Sequence, residues 1–69
     1  MEQNEIDIRF TYHAPKAGQS EIYTKLRDKA KELAELINEV CPESREKEMA
    51  FTELEASVFW ANAGIARRG

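Results

Sequence analysis

Between Phe51 and Ala66 the chain carries more apolar surface than one helical neighbour can cover. At about 3.6 residues per turn, Met49, Thr52, Ala56, Phe59 and Ala63 fall on one stripe. Phe51, Leu54, Val58, Ala61 and Ile65 fall on a second, roughly opposite one. A core-facing stripe takes up about a third of a helix's circumference, so two opposed stripes call for two coverings. A helical hairpin supplies one, and the other has to come from outside the hairpin.

The length sharpens that requirement. Sixty-nine residues make at most one small domain. Such a chain buries only about 60% of its unfolded surface, and below roughly 70–80 residues disulfides, a metal or oligomerisation usually make up the shortfall. The single Cys41 excludes an intramolecular disulfide, and Cys41 with His13, lacking a second Cys or His, argues against a zinc site within one chain. Neither a metal nor a cofactor is therefore expected. Oligomerisation is what is left, so the fold class expected is all-α: an antiparallel two-helix hairpin with an extended N-terminal segment, assembled into a symmetric homo-oligomer.

The net charge of −3 and pI near 5.1 argue against a DNA or RNA polymer as partner, because a phosphate backbone rewards a broad basic patch. A small anionic ligand in a local pocket is compatible with them. The longest uncharged run, Ala56 to Ala66, is too short to span a bilayer, and no apolar leader follows Met1. The expectation is a soluble protein that is not secreted and has no membrane partner. A lone free thiol fits a reducing cytoplasm.

From Glu5 to Tyr12 the residues alternate, with Ile6, Ile8, Phe10 and Tyr12 on one side and Glu5, Asp7, Arg9 and Thr11 on the other, as in a half-buried strand. With no second strand candidate, the segment must pair with another subunit or pack in extended form on helices, and packing on helices is the reading taken. His13 to Gln19, with Pro15 and Gly18, forms a connector. Ser20 is the expected N-cap of a first long helix over 21–40. Its positions Tyr23, Leu26, Ala30, Leu33, Ile37 and Val40, joined by Ile22 and Leu36, make the seam of a hairpin.

Pro42 ends that helix, and Cys41 to Ser44 is a connection of the length that joins antiparallel helices. Ser44 caps a second helix over 45–67, which carries Glu46 and Glu48 in its first turns and Arg67 at its end, with Arg68 beyond, all favourable to the dipole. The division expected is thus one domain over 1–69, comprising an extended segment 1–19 and helices 20–40 and 45–67. Gly64, inside the second helix, lies either near a frayed end or where a missing side chain serves packing or a ligand.

Candidate chemistry is sparse. Tyr23, Arg27 and Lys31 stand at i, i+4 and i+8, placing a flat ring and two cations on one face. A ring that stacks on a base and a fork of donors for phosphate are what a nucleotide site requires. The plainer alternative is a solvated basic edge in which Asp28 pairs with Lys31 and Tyr23 is core. Tyr12, His13, Pro15 and Lys16 cluster in the connector, where binding residues often sit; the plainer alternative is that Tyr12 closes the apolar side of the extended segment and the others are solvated.

His13 has no nearby Ser or Cys nucleophile, so no catalytic residue is assigned. Glu32, Glu35 and Glu39 share one face and could hold Mg²⁺ in a nucleotide hydrolase, or be plain surface. Trp60 reads as a packing anchor at an interface. Asn62, if buried between subunits, needs partners and could fix register.

Tyr12-His13-Ala14-Pro15, Cys41-Pro42-Glu43-Ser44-Arg45-Glu46-Lys47 and Trp60-Ala61-Asn62-Ala63-Gly64-Ile65-Ala66-Arg67 resemble the small bacteriophage anti-CBASS sponge family of helical-hairpin proteins. The resemblance covers about Phe10 to Arg68. It implies a non-enzymatic protein that binds cyclic dinucleotide messengers of bacterial antiphage immunity and holds them uncleaved, in the cytoplasm of the infected host. It also implies a compact homo-oligomer, typically a hexamer, with pockets between paired subunits; some members also take cyclic trinucleotides at separate sites.

The resemblance implies that an aromatic before the first long helix stacks on a base and a basic residue in that helix reaches the phosphates. The matching positions are Tyr12 and Arg27, with Lys31, His13 and Pro15 as neighbouring candidates. The alternating segment from Glu5 to Phe10 departs from the family pattern, in which no long strand is expected. The alternative from another class is a helical adaptor that binds a host or phage protein through the second stripe of the second long helix.

Overall fold

The computed structural model describes residues 1–69 and contains three α-helices and no strand: α1 (Gln3–Phe10), α2 (Gln19–Val40) and α3 (Arg45–Arg68). α2 and α3 form the hairpin. Ser44 caps α3 as its sequence position predicts, its Oγ accepting from Lys47 N at 3.1 Å.

Along α3, Phe51, Leu54, Val58, Ala61 and Ile65 are all partly shielded, so the second of the two stripes closes the hairpin. Across from them α2 shields Tyr23, Leu26, Ala30, Ala34 and Ile37. Leu33 and Val40, expected in this seam, are instead largely exposed, as are Ile22 and Leu36. The reason is helical phase: Ala34 continues the row Leu26, Ala30 and Ile37, and two alanines one turn apart leave low ground opposite the larger α3 side chains. Ile22, Leu33, Leu36 and Val40 form a separate stripe about a quarter turn round.

No apolar residue in the chain is buried. The molecule measures 45 × 30 × 12 Å, and the short dimension is about one helix diameter. It is a single layer of helices. Domains normally need two packed layers to enclose a core, so the exposed stripes, with Phe59 and Trp60 on α3 among them, are the faces that a second layer would cover.

The only two buried residues are polar, and each closes one end of the hairpin. At the loop end Lys47, 5% exposed, donates through Nζ to Asn38 O at 3.1 Å and pairs with Glu43. A cation thereby sits on the last turn of α2, where unpaired carbonyls concentrate negative potential. At the open end Gln19, 7% exposed, donates through Nε2 to Ile65 O at 3.2 Å in the last turn of α3. Its Oε1 accepts from Lys16 N at 2.8 Å. Ser20 is therefore not the N-cap: α2 begins after Gly18, whose φ of 82° lies in the left-handed region that glycine enters without penalty.

The N-terminal segment is a correction. Residues 3–10 are helical, not extended. A lone strand would leave its backbone donors and acceptors unpaired, whereas a helix pairs them internally. Two side-chain pairs at helical spacing support it: Gln3 Nε2 to Asp7 Oδ1 at 2.8 Å and Arg9 Nε to Glu5 Oε1 at 3.0 Å. Of the alternating apolar residues only Ile8 is partly shielded, whereas Phe10 is 80% and Tyr12 83% exposed.

Candidate functional site

Arg27 and Lys31 lie one turn apart on α2, and both line a groove of about 580 Å³ between the two long helices, floored by Ala30, Ala34, Phe51 and Leu54. Neither cation is in an ion pair. Arg27 reaches only Thr24 Oγ1, at 3.4 Å. The expected pairing of Asp28 with Lys31 does not form; the neighbouring pair is Lys29 with Glu32, at 3.2 Å. Glu55 also lines the groove but pairs with neither cation, so both can receive an anion with no salt bridge to break first.

Arg27 also borders a second hollow of about 420 Å³ with Tyr23, Asn62, Ala63 and Ala66. Tyr23 belongs to the seam and is partly shielded there. Oδ1 of Asn62 is shut off from solvent and has no hydrogen-bond partner within the chain, which is costly for a carboxamide oxygen.

Tyr12 is 83% exposed and, like His13 and Pro15, lines neither hollow. Within one chain the structure thus brings Arg27 and Lys31 together and leaves the connector residues apart from them. His13 is engaged locally: Nε2–H donates to Ile8 O at 2.7 Å, on the last turn of α1. Pro15 is exposed in the connector.

Glu32 and Glu35 flank a shallow polar depression on the outer side of α2, and no three His, Cys, Asp or Glu side chains stand close enough together to hold a metal ion. No helix is long and apolar enough to cross a membrane.

A third cleft, of about 390 Å³, lies between α1 and the end of α3, lined by Glu5, Arg9, Phe10, Trp60, Arg67 and Arg68. Arg68 Nη2 donates to Glu5 Oε1 at 2.7 Å, and Arg67 Nη2 to Arg9 O at 3.4 Å. Hydrogen bonds from Arg68 and Arg9 hold the Glu5 carboxyl below its ordinary carboxylate range. Arg67 and Arg68 suit the C-terminal end of the α3 dipole without any reference to α1. Only recognition of Gln3–Asp7 and Glu5–Arg9 as helical pairs would have hinted that a helix lies against them.

A family model described as "Acb2/Tad1, hairpin domain" matches residues 2–66. No curated protein and no solved structure matches the chain.

Proposed function

The chain is a member of the Acb2/Tad1 hairpin-domain family, the anti-CBASS sponge family its motifs resemble, and on that premise we propose that it binds and sequesters cyclic dinucleotide immune messengers without cleaving them. The observation that carries this reading is the unpaired couple Arg27 and Lys31 at the edge of the interhelical groove. It offers a local pair of cations on a chain of net charge −3, which suits a compact dianion better than a polymer. Arg27 supplies the planar fork that matches phosphate oxygens, and Lys31 a second point charge. Tyr12 supplies an exposed ring on which a base can stack. His13 and Pro15 flank it.

The site is completed between chains. Tyr12 and Arg27 border no common hollow in one chain, and a single layer with no buried apolar residue needs a second layer. A symmetric homo-oligomer, a hexamer by family resemblance, would bring Tyr12 of one subunit near Arg27 of another. The same resemblance allows separate sites for cyclic trinucleotides. The protein acts in the cytoplasm of an infected bacterium, where the messengers are made.

The test is incubation of the protein with cyclic di-AMP, cyclic di-GMP and cyclic GMP–AMP, removal of free nucleotide, heat denaturation and chromatography of what is released. Intact nucleotide supports sequestration. A linear product overturns it in favour of a hydrolase, and no uptake of any of the three overturns binding of these messengers. Tyr12→Ala and Arg27→Ala should each weaken uptake about tenfold or more without changing the oligomer's mass.

The second stripe of α3 closes the hairpin and is not free to dock a partner, but the exposed Phe59 and Trp60 outside it favour a second reading, a helical adaptor for another protein. Light scattering separates the two, since a stable monomer at micromolar concentration contradicts a pocket shared between subunits.

A further inference from the structure

An isolated helix needs about 12–15 residues to be even marginally stable in water, and α1 has eight. Docking must therefore hold it helical, and it covers little apolar surface: Ile8 is partly shielded and Ile6 is 36% exposed, while Phe10 is 80% exposed. The directional attachments of α1 are polar. Glu5 takes Arg9 of its own helix at 3.0 Å and Arg68 of α3 at 2.7 Å on the same oxygen. Arg67 donates to Arg9 O at 3.4 Å, and His13 returns from the connector to Ile8 O at 2.7 Å. These last two bonds end on carbonyls of the final turn of α1, and Tyr12 lies between that turn and His13.

We propose that α1 is an arm latched to the end of α3 by the Glu5–Arg68 ion pair, and that the latch fixes the direction in which the Tyr12 ring is presented. Glu5 and Arg68 are positioning residues that touch no ligand. The claim about ligand binding rests on the proposed function, whereas the claim about the latch stands on the contacts alone. When the pair is broken, residues 3–10 lose helicity, because eight residues do not hold a helix unaided. Tyr12 then samples many orientations. Apparent affinity falls in proportion to the fraction of chains with the arm docked.

The experiment uses the full chain with Glu5→Gln, Arg68→Gln and the conservative Arg68→Lys, and reads two quantities. The first is amide hydrogen exchange of residues 5–10 without ligand. Both Gln variants should exchange up to about fivefold faster there, the most an exposed ion pair commonly confers, with α2 and α3 unchanged and Arg68→Lys close to wild type. The second is the dissociation constant for the tightest binder among cyclic di-AMP, cyclic di-GMP and cyclic GMP–AMP. It should rise in the Gln variants by the factor by which the docked fraction falls, as read from exchange relative to the intrinsic amide rates, at most about fivefold, and stay near wild type in Arg68→Lys, while Tyr12→Ala raises it further with α1 exchange unaltered.

Unchanged exchange in the Gln variants overturns the latch. A measurable fall in the docked fraction with unchanged affinity overturns the positioning role. If wild-type protein binds none of the three nucleotides, the proposed function and the positioning role fall together, and exchange alone decides the latch.

Discussion

The hairpin and the N-terminal arm are attached to the same α3 by different physics. α2 meets α3 along a continuous apolar seam and is sealed at each end by a buried polar side chain, Lys47 or Gln19. α1 meets α3 through guanidinium groups at the surface, with Ile8 partly shielded, Ile6 36% exposed and Phe10 in solvent. Apolar burial holds over a wide range of salt and pH, whereas exposed ion pairs contribute little and are screened. The hairpin is therefore the scaffold and the arm the adjustable part. The proposed ligand groups divide along the same line, with Arg27 and Lys31 on the scaffold and Tyr12 beside the arm.

The strongest test of that contrast is Leu54→Ala, which removes a seam side chain that is shielded but not fully buried. A loss of about 2 kcal/mol is expected, at the low end for such truncations, read as a shift in the urea midpoint. A loss below about 0.5 kcal/mol would mean that the seam is not what holds the hairpin. Next in size is Lys47→Met, which keeps the stem and removes the charge. It should cost about 1–2 kcal/mol, because hydrogen bonds from a charged donor to Asn38 O and Glu43 are lost. Gln19→Ala should cost about 1 kcal/mol, since Lys16 N and Ile65 O each lose a neutral partner.

These expectations also show which parts of the molecule were legible in the residues. The α3 seam was readable because Phe51, Leu54, Val58, Ala61 and Ile65 keep one helical phase, and the Ser44 cap because a hydroxyl preceded an acidic first turn. The α2 side was half legible: Leu33 and Val40 suit a seam by hydrophobicity, but alanines at 30 and 34 set how closely the helices approach and so fix the phase. α1 is masked because Glu5 to Tyr12 alternate like a strand, and periodicity over eight residues does not outweigh backbone pairing.

Lys47 and Gln19 gave no sequence signal as caps, since each acts on carbonyls in the other long helix: Asn38, nine positions away, and Ile65, forty-six away. Of the candidate site, Arg27 and Lys31 were readable from i, i+4 spacing. That Tyr12 borders no hollow with them depends on the course of the connector, which composition does not determine.

Gly64→Ala probes the face that neither seam nor latch covers. A methyl group there meets nothing within 4 Å in the single chain, and glycine inside a helix is worse than alanine by about 1 kcal/mol. For an isolated hairpin the change should therefore be stabilising by up to about 1 kcal/mol in the thermal or urea midpoint. A loss of stability, or of oligomer mass at the same concentration, would place another chain's backbone against Gly64 and make the second layer a close helix crossing.

The smallest global effect, and the one specific to the arm, is its dependence on pH. The Glu5 carboxyl is held below its ordinary range by Arg68 first and Arg9 second. A carboxylate whose folded pKa is depressed contributes stability that is fully present above the unfolded value and is lost as pH falls through the folded one. Wild-type α1 should thus be better protected from exchange than α1 of Glu5→Gln at neutral pH and above. Comparing the two proteins at each pH cancels the intrinsic pH dependence of exchange. The difference should narrow only below the ordinary carboxylate range and vanish once Glu5 is protonated, with α2 and α3 showing no matching change. The absence of any difference at neutral pH would mean that burial, not the Glu5 charge, holds the arm, and the contrast between scaffold and latch would fail.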